Sequence, residues 1–138
     1  MAGETDLQAL LGGMKPELHV GDYVYCVVHD PSSVELTDAL CFFREAEGVT
    51  LILEKSVADR LNLPNPSREV MAWISLTVHS SLAAVGLTAA FSAALGDAGI
   101  SCNVVAAFYH DHIFVPKIQA ARAMAVLKDL SQSNLTKN

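Results

Sequence analysis

Basic side chains are scarce in this chain. Nine Lys and Arg stand against fifteen Asp and Glu in 138 residues, giving a net charge of −6. The nine are scattered and form no stripe that could meet a phosphate backbone, so nucleic acid is not an expected partner. Cysteine is scarce too. Cys26, Cys41 and Cys102 are odd in number, far apart, and each sits in a strand-like apolar run. They read as buried free thiols, and no Cys-x-x-Cys pair offers a zinc or redox site. There is no Gly-x-Ser-x-Gly elbow, no phosphate-binding glycine loop and no dinucleotide fingerprint. The longest weakly charged stretch, Val70 to Gly96, holds His79, Ser80, Ser81 and Gly86 and changes from strand-like to helix-like patterning. A membrane span needs about 20 mostly apolar residues in one helix, so no membrane contact is expected. The acidic start, Met1 to Asp6, lacks the basic region of a signal peptide, and a cytoplasmic location is the expectation.

Apolar surface, by contrast, is plentiful. A hydrophobic share of 51% and a mean hydropathy of +0.33 can supply a sizeable core with surface left for a subunit interface.

The clearest patterning lies in the second half. Residues 72–78 alternate and are rich in β-branched and aromatic side chains, which predicts a strand. His79, Ser80 and Ser81 break it, and either serine could cap a helix beyond them. Leu87, Ala90, Phe91, Ala94, Leu95 and Ala98 then fall at helical spacing up to Gly99. Residues 100–109 read as a strand, 112–115 as a short strand stopped by Pro116, and 117–130 as a helix with Ala120, Ala123, Met124, Leu127 and Leu130 on one face. Residues 131–138 read as a polar, frayed tail.

The first half repeats this order more weakly. Residues 23–28 are a strand and Asp30–Ser33 a break, with little room for a full helix before residue 40. Residues 40–44 and 49–53 form a hairpin across Glu45–Gly48. A short helix comes next at 56–61, and Pro64 and Pro66 mark a linker. The fold class is therefore α+β: two ferredoxin-like β-α-β-β-α units, residues 1–65 (abbreviated) and 66–138, with helices packed on antiparallel sheets. No strand to close the second sheet is visible after Leu130.

The run from Leu76 to Ala89 resembles the strand–loop–helix opening of ACT domains, and Ala98 to Val105 their helix-to-strand junction. Trp73 to Leu82, His110 to Pro116 and Phe43 to Thr50 together resemble a family of small bacterial proteins made of two ACT-like units, a family of unassigned function. The arrangement is similar to the paired ACT units of aspartate kinases and of eukaryotic arginine sensors. The resemblance implies a regulatory module that binds an amino acid or other small ligand at the junction of its units. A homodimer is expected; the residues show no catalytic constellation, so no enzymatic activity and no cofactor are expected.

The candidate site residues fall in two groups. A helix start preceded by a glycine-containing loop favours an anion such as a carboxylate. Here that loop holds His79, Ser80, Ser81, Val85, Gly86 and Leu87, which the resemblance makes ligand-binding residues; a plain helix cap is the bland alternative. His110, Asp111 and His112 form the second group, at the tip of a hairpin or the start of its return strand. If extended, the two histidines share one face and Asp111 takes the other. Asp111 could meet a ligand's amino group, with His110 or His112 lining the mouth. Alternatively, all three simply hydrogen-bond the hairpin. A metal held by His79, His110 and His112 would lack a full ligand set, so no metal is expected. Glu45 and Glu47 read as a solvated turn that could instead select a basic ligand. His19 and His29 read as surface groups. An interaction module with no small ligand is the alternative to the sensor.

Overall fold

The period-2 runs become paired strands and the period-3.6 runs become helices packed against them. The computed structural model of the protein describes residues 7–77 and 86–135. In chain order the elements are α1 (Leu7–Gly13), β1 (Lys15–Leu18), β2 (Tyr23–Val28), β3 (Cys41–Arg44), β4 (Val49–Glu54) and α2 (Lys55–Arg60). Then come β5 (Met71–Thr77), α3 (Leu87–Asp97), β6 (Asn103–Ala106), β7 (Asp111–Pro116) and α4 (Ala120–Leu135). They form two units. One is Val20–Ala72; the other joins the N-terminal residues up to His19 with everything from Trp73 onward.

In the Val20–Ala72 unit, β4 lies between β2 and β3, antiparallel to both. Val28 faces Val49 and Tyr23 faces Glu54, while Phe42 faces Leu51. Tyr23 also pairs with Met71 at the start of β5. Alternation puts Val24, Cys26 and Val28 on one face, where they bury with Leu51, Leu53, Val34 and Ala58 of α2. Each such Leu contributes roughly 1.5–3 kcal/mol by leaving water. Between β2 and β3 there is no α-helix, only two single 3-10 turns at Pro31–Ser33 and Leu36–Asp38. Asp30 starts the first by accepting the Ser32 amide at 3.0 Å. The β3–β4 turn closes with the Glu45 amide donating to the Gly48 carbonyl at 2.9 Å. Gly48 sits at φ +155°, where a Cβ would lie 3.1 Å from the Val28 carbonyl oxygen. That position wants glycine.

In the other unit β5 is flanked by β1 on one side and β7 on the other, and β6 pairs with β7. Ile74 and Leu76 of β5 alternate inward, as do Ile113 and Val115 of β7. All four are at most 1% exposed. The helices supply Leu10, Leu11, Phe91, Leu95, Ala123 and Leu127 to the same buried layer. A residue on this face is therefore core, and its neighbours in sequence point to the opposite face.

Three local expectations change. The missing closing strand exists, but it comes from the start of the chain. β1 pairs with β5 from Lys15 opposite Thr77 to Leu18 opposite Ile74. Residues 131–135 belong to a helix and not to a frayed tail, because α4 continues to Leu135. Ser131 is buried and its hydroxyl lies 3.0 Å from the Met14 carbonyl and 3.2 Å from that of Gly12. It thus supplies a donor where α1 ends and helix carbonyls lack intrahelical partners. The strand expected over 100–109 is only Asn103–Ala106, since the Ala107 amide donates to the His110 carbonyl at 3.0 Å and turns the chain. Phe108 and Tyr109 belong to that turn and stand exposed. All three cysteines are free; Cys26 is buried, while Cys41 and Cys102 are half-buried.

Candidate functional site

Of the candidate loop residues, His79, Ser80, Ser81 and Val85 lie outside the described residues. Gly86 and Leu87 lie within them. Gly86 takes φ +99° and ψ −15°, a left-handed conformation, and its carbonyl accepts the Ala90 amide at 2.8 Å as the first bond of α3. A Cβ there would meet a Leu7 methyl at 3.4 Å. No side chain caps the helix at Gly86. The first-turn amides of α3 have no partner inside the helix, and the helix dipole makes that end attractive to an anion. Leu87 turns its side chain into the core, where it is 5% exposed.

The hairpin residues separate as alternation requires. His110 is exposed at the end of the turn, and β7 starts with Asp111 opposite Ala106 and His112 opposite Val105. Asp111 lies on the face of Ile113 and Val115, the helix-covered side; His112 lies on the other with Phe114. The His110 and His112 rings are perpendicular with centroids 6.2 Å apart, so those two do share a face. Asp111 is half-buried. Burial pushes its carboxyl above the usual carboxylate range, and the neighbouring His112 only partly opposes this. Among the described residues no cation or donor is paired with the carboxylate.

Asp111 opens β7 at the end of the sheet where β5 finishes, because Trp73 reaches His112 and Phe114 while Ser75 reaches His112. The two strands therefore run antiparallel. α3 ends at Asp97, and β6 begins at Asn103 opposite Phe114. The helix thus runs back from the Asp111 end, and its start and Asp111 share that end of the unit.

On the other face of β5 and β7, where Ser75 and Phe114 are themselves buried, sequence reasoning missed a cluster. Trp73 Nε1 donates to His112 Nδ1 at 3.0 Å. Ser75 Oγ lies 3.0 Å from the same nitrogen and 2.7 Å from His19 Nε2. The His19 ring stacks on Trp73 with centroids 3.6 Å apart and planes within 9°. His19 is thus half-buried and bonded, not a free surface group as expected; His29 is exposed as expected. Burial, followed by the charges of His110 and His19, lowers the His112 pKa, with Asp111 opposing. The spacing of Trp73 and Ser75 was a usable signal, since i and i+2 share a strand face. His19 carried none, because β1 was not recognised.

No three His, Cys, Asp or Glu among the described residues converge as metal ligands. His79, the third group of the metal reading, lies outside them. Glu45 and Glu47 are exposed, and Glu45 accepts the Thr50 hydroxyl, which ties it to its own turn. No helix among the described residues is long and apolar enough to cross a membrane.

Comparisons with known proteins agree with this architecture. A family model described as an ACT domain matches residues 2–68, and a second, also described as an ACT domain, matches residues 70–129. No curated protein matches. A solved structure from Vibrio cholerae, described as a protein of unknown function and possible transport protein, is 45% identical. It covers 94% of this chain and 99% of its own, with a TM-score of 0.82. A protein from Agrobacterium tumefaciens is 15% identical, with 86% and 89% covered and a TM-score of 0.62. The regulatory subunit of aspartate kinase from Thermus thermophilus, in a ligand-free form, is 10% identical, with 83% and 95% covered and a TM-score of 0.58. The last two likenesses speak for the fold alone.

Proposed function

The chain belongs to the ACT-domain family, with two such domains in tandem, and from that premise we propose that it is a regulatory module that binds a small zwitterion, an amino acid foremost. The observation that carries this reading is the Asp111 carboxylate. It is half-buried, raised by desolvation, and paired with no cation among the described residues. A ligand ammonium would supply the missing charge, and a charged hydrogen bond of that kind is worth about 1.5–3 kcal/mol. The start of α3, at the same end of the unit, offers amides to the ligand's carboxylate. Binding would favour one arrangement of the module over another and so bias a partner, which makes the role regulatory rather than catalytic.

The test is thermal unfolding of the full chain against each common amino acid at millimolar concentration. One or a few should raise the melting temperature; at one hundred times Kd the gain is about 2.7 kcal/mol. Asp111→Asn should lose that gain. If no amino acid stabilises the protein, the reading is wrong. A second reading, a ligand-free assembly module, has its own support in the exposed Phe43, Phe108, Tyr109 and Ile118. It predicts a concentration-dependent oligomer, a homodimer first, whatever ligand is added.

A further inference from the structure

The cluster around Trp73 and Ser75 of β5 has a proton inventory with few solutions. An indole N–H can only donate. Trp73 Nε1 aims at His112 Nδ1 from 3.0 Å, so Nδ1 must present a lone pair, and His112 is neutral with its proton on Nε2. Ser75 Oγ has one proton and two nitrogen neighbours, His112 Nδ1 at 3.0 Å and His19 Nε2 at 2.7 Å. All the contacts are made together when His19 Nε2–H donates to Ser75 and Ser75 donates onward to His112, sharing the one Nδ1 lone pair with the Trp73 N–H. His112 Nδ1 is thus the terminal acceptor of two chains of donors.

The cluster spans three strands. His19 directly follows β1, Trp73 and Ser75 lie on β5, and His112 lies on β7. β1 is only four residues long, and its backbone hold continues one residue further, where the His19 amide donates to the Trp73 carbonyl at 2.9 Å. The stack of His19 on Trp73 and the Ser75 bond are its side-chain anchors on this face. We propose that His19, Trp73, Ser75 and His112 form an acid-sensitive latch, which holds β1 against β5 and loosens when a proton enters His112 Nδ1.

Protonation would place an N–H where two donors already point. Trp73 would lose its acceptor and have to move, and the His19 ring stacked on it would move with it, while Ser75 Oγ could accept from both ring nitrogens. Several charged groups bear on His112. His110 and Asp111 lie on its own side of the hairpin, and His19 follows β1. Glu17 and Lys15 of β1 lie opposite Ser75 and Thr77 on the same face. β6 faces His112 with Val105, which does not titrate. The sign is set by burial. His112 resists protonation when folded, whereas the unfolded chain takes the proton near the ordinary value of 6.5. Stability from the latch is therefore complete above that pH and is lost as the pH falls below it.

Trp73 is the single tryptophan of the chain, so its indole N–H is an unambiguous probe. The experiment tracks that resonance, with hydrogen exchange of the β1 amides, in the full-length protein from pH 8 to pH 4.5 without ligand. Both should change through one transition centred below 6.5, β1 protection falling by up to about tenfold per pH unit within it. His112→Gln should abolish the transition, while His19→Gln should keep the indole change but uncouple it from β1 protection. An indole signal flat across the range overturns the latch. So does a transition that survives in His112→Gln, or a moving indole with unchanged β1 protection. Should His112→Gln fail to fold, the His112 ring nitrogens of the unsubstituted protein decide. A proton on Nε2 at pH 7.5 with titration below 6.5 supports the latch; a proton on Nδ1 refutes it. No ligand enters this test, so its outcome is independent of the amino-acid reading.

Discussion

The two units share one strand scheme and differ in the segment that leaves the first strand. After β5 the chain goes on to an eleven-residue helix whose Phe91 and Leu95 are fully buried. After β2 there are two 3-10 turns, and neither contributes a buried residue. The hairpin turns differ too. Glu45–Gly48 is exposed and closed on itself, whereas the 107–110 turn delivers a half-buried Asp111 to the start of its return strand. A duplicated scaffold can therefore keep its sheet while only one copy keeps the helix start and the acidic strand start that a zwitterion needs. The unit with the helix carries the proposed site.

That contrast can be broken experimentally, and the largest effect should come from the helix. Phe91→Ala should cost about 3–5 kcal/mol in urea unfolding, since it empties a fully buried position. Pro31→Ala, in the exposed turn that stands in its place, should stay within about 1 kcal/mol. Equal costs would mean the first unit depends on its turns as much as the second does on α3.

Next come the glycines. Gly86→Ala and Gly48→Ala each force a side chain into a positive-φ conformation, at about 1–3 kcal/mol apiece. Amino-acid-dependent stabilisation should fall in Gly86→Ala and persist in Gly48→Ala. The reverse result would move the site to the other unit.

Ser131→Ala removes the donor shared by the Gly12 and Met14 carbonyls and should cost about 1–3 kcal/mol in urea unfolding. It would sharpen the comparison by showing that the N-terminal segment stabilises this unit.

The smallest effect should come from Asp111→Asn without ligand. The folded carboxyl binds its proton more tightly than the unfolded one, so ionising it costs stability as pH rises through the raised value. Asp111→Asn should therefore unfold at a slightly higher temperature at neutral pH, and the gain should vanish in acid. Equal melting temperatures at all pH values would show that Asp111 is better solvated than its position implies.

Much of the fold was legible in the residues themselves. Ile74 and Leu76 alternate with Trp73 and Ser75, and that alternation marked both the strand and its two faces. Leu87, Phe91 and Leu95 marked α3 by helical spacing, whereas the short span between Val28 and Cys41 left no room for an equivalent. Other features were hidden for a physical reason. Lys15–Leu18 is an exposed edge strand containing Pro16, so its periodicity is blank and only its pairing with β5 defines it. Ser131 looks like a tail residue until the distant carbonyls of Gly12 and Met14 claim its hydroxyl. Phe108 and Tyr109 read as strand because aromatics favour strands, yet the turn bond from Ala107 to His110 leaves them in water. Asp111 was singled out as a ligand group by its place in the hairpin; its burial and raised pKa could not be read from the sequence.

By itself the sequence determined the unit type, the duplication, the helix after β5 and the polar residues available at its two flanking turns. These arise from short-range periodicity and turn chemistry, which act between neighbours. Tertiary structure alone decided that the N-terminal segment up to His19 completes the second unit, and that His19, Trp73, Ser75 and His112 meet. Such contacts depend on strand register and burial, and those exist only once distant segments have paired.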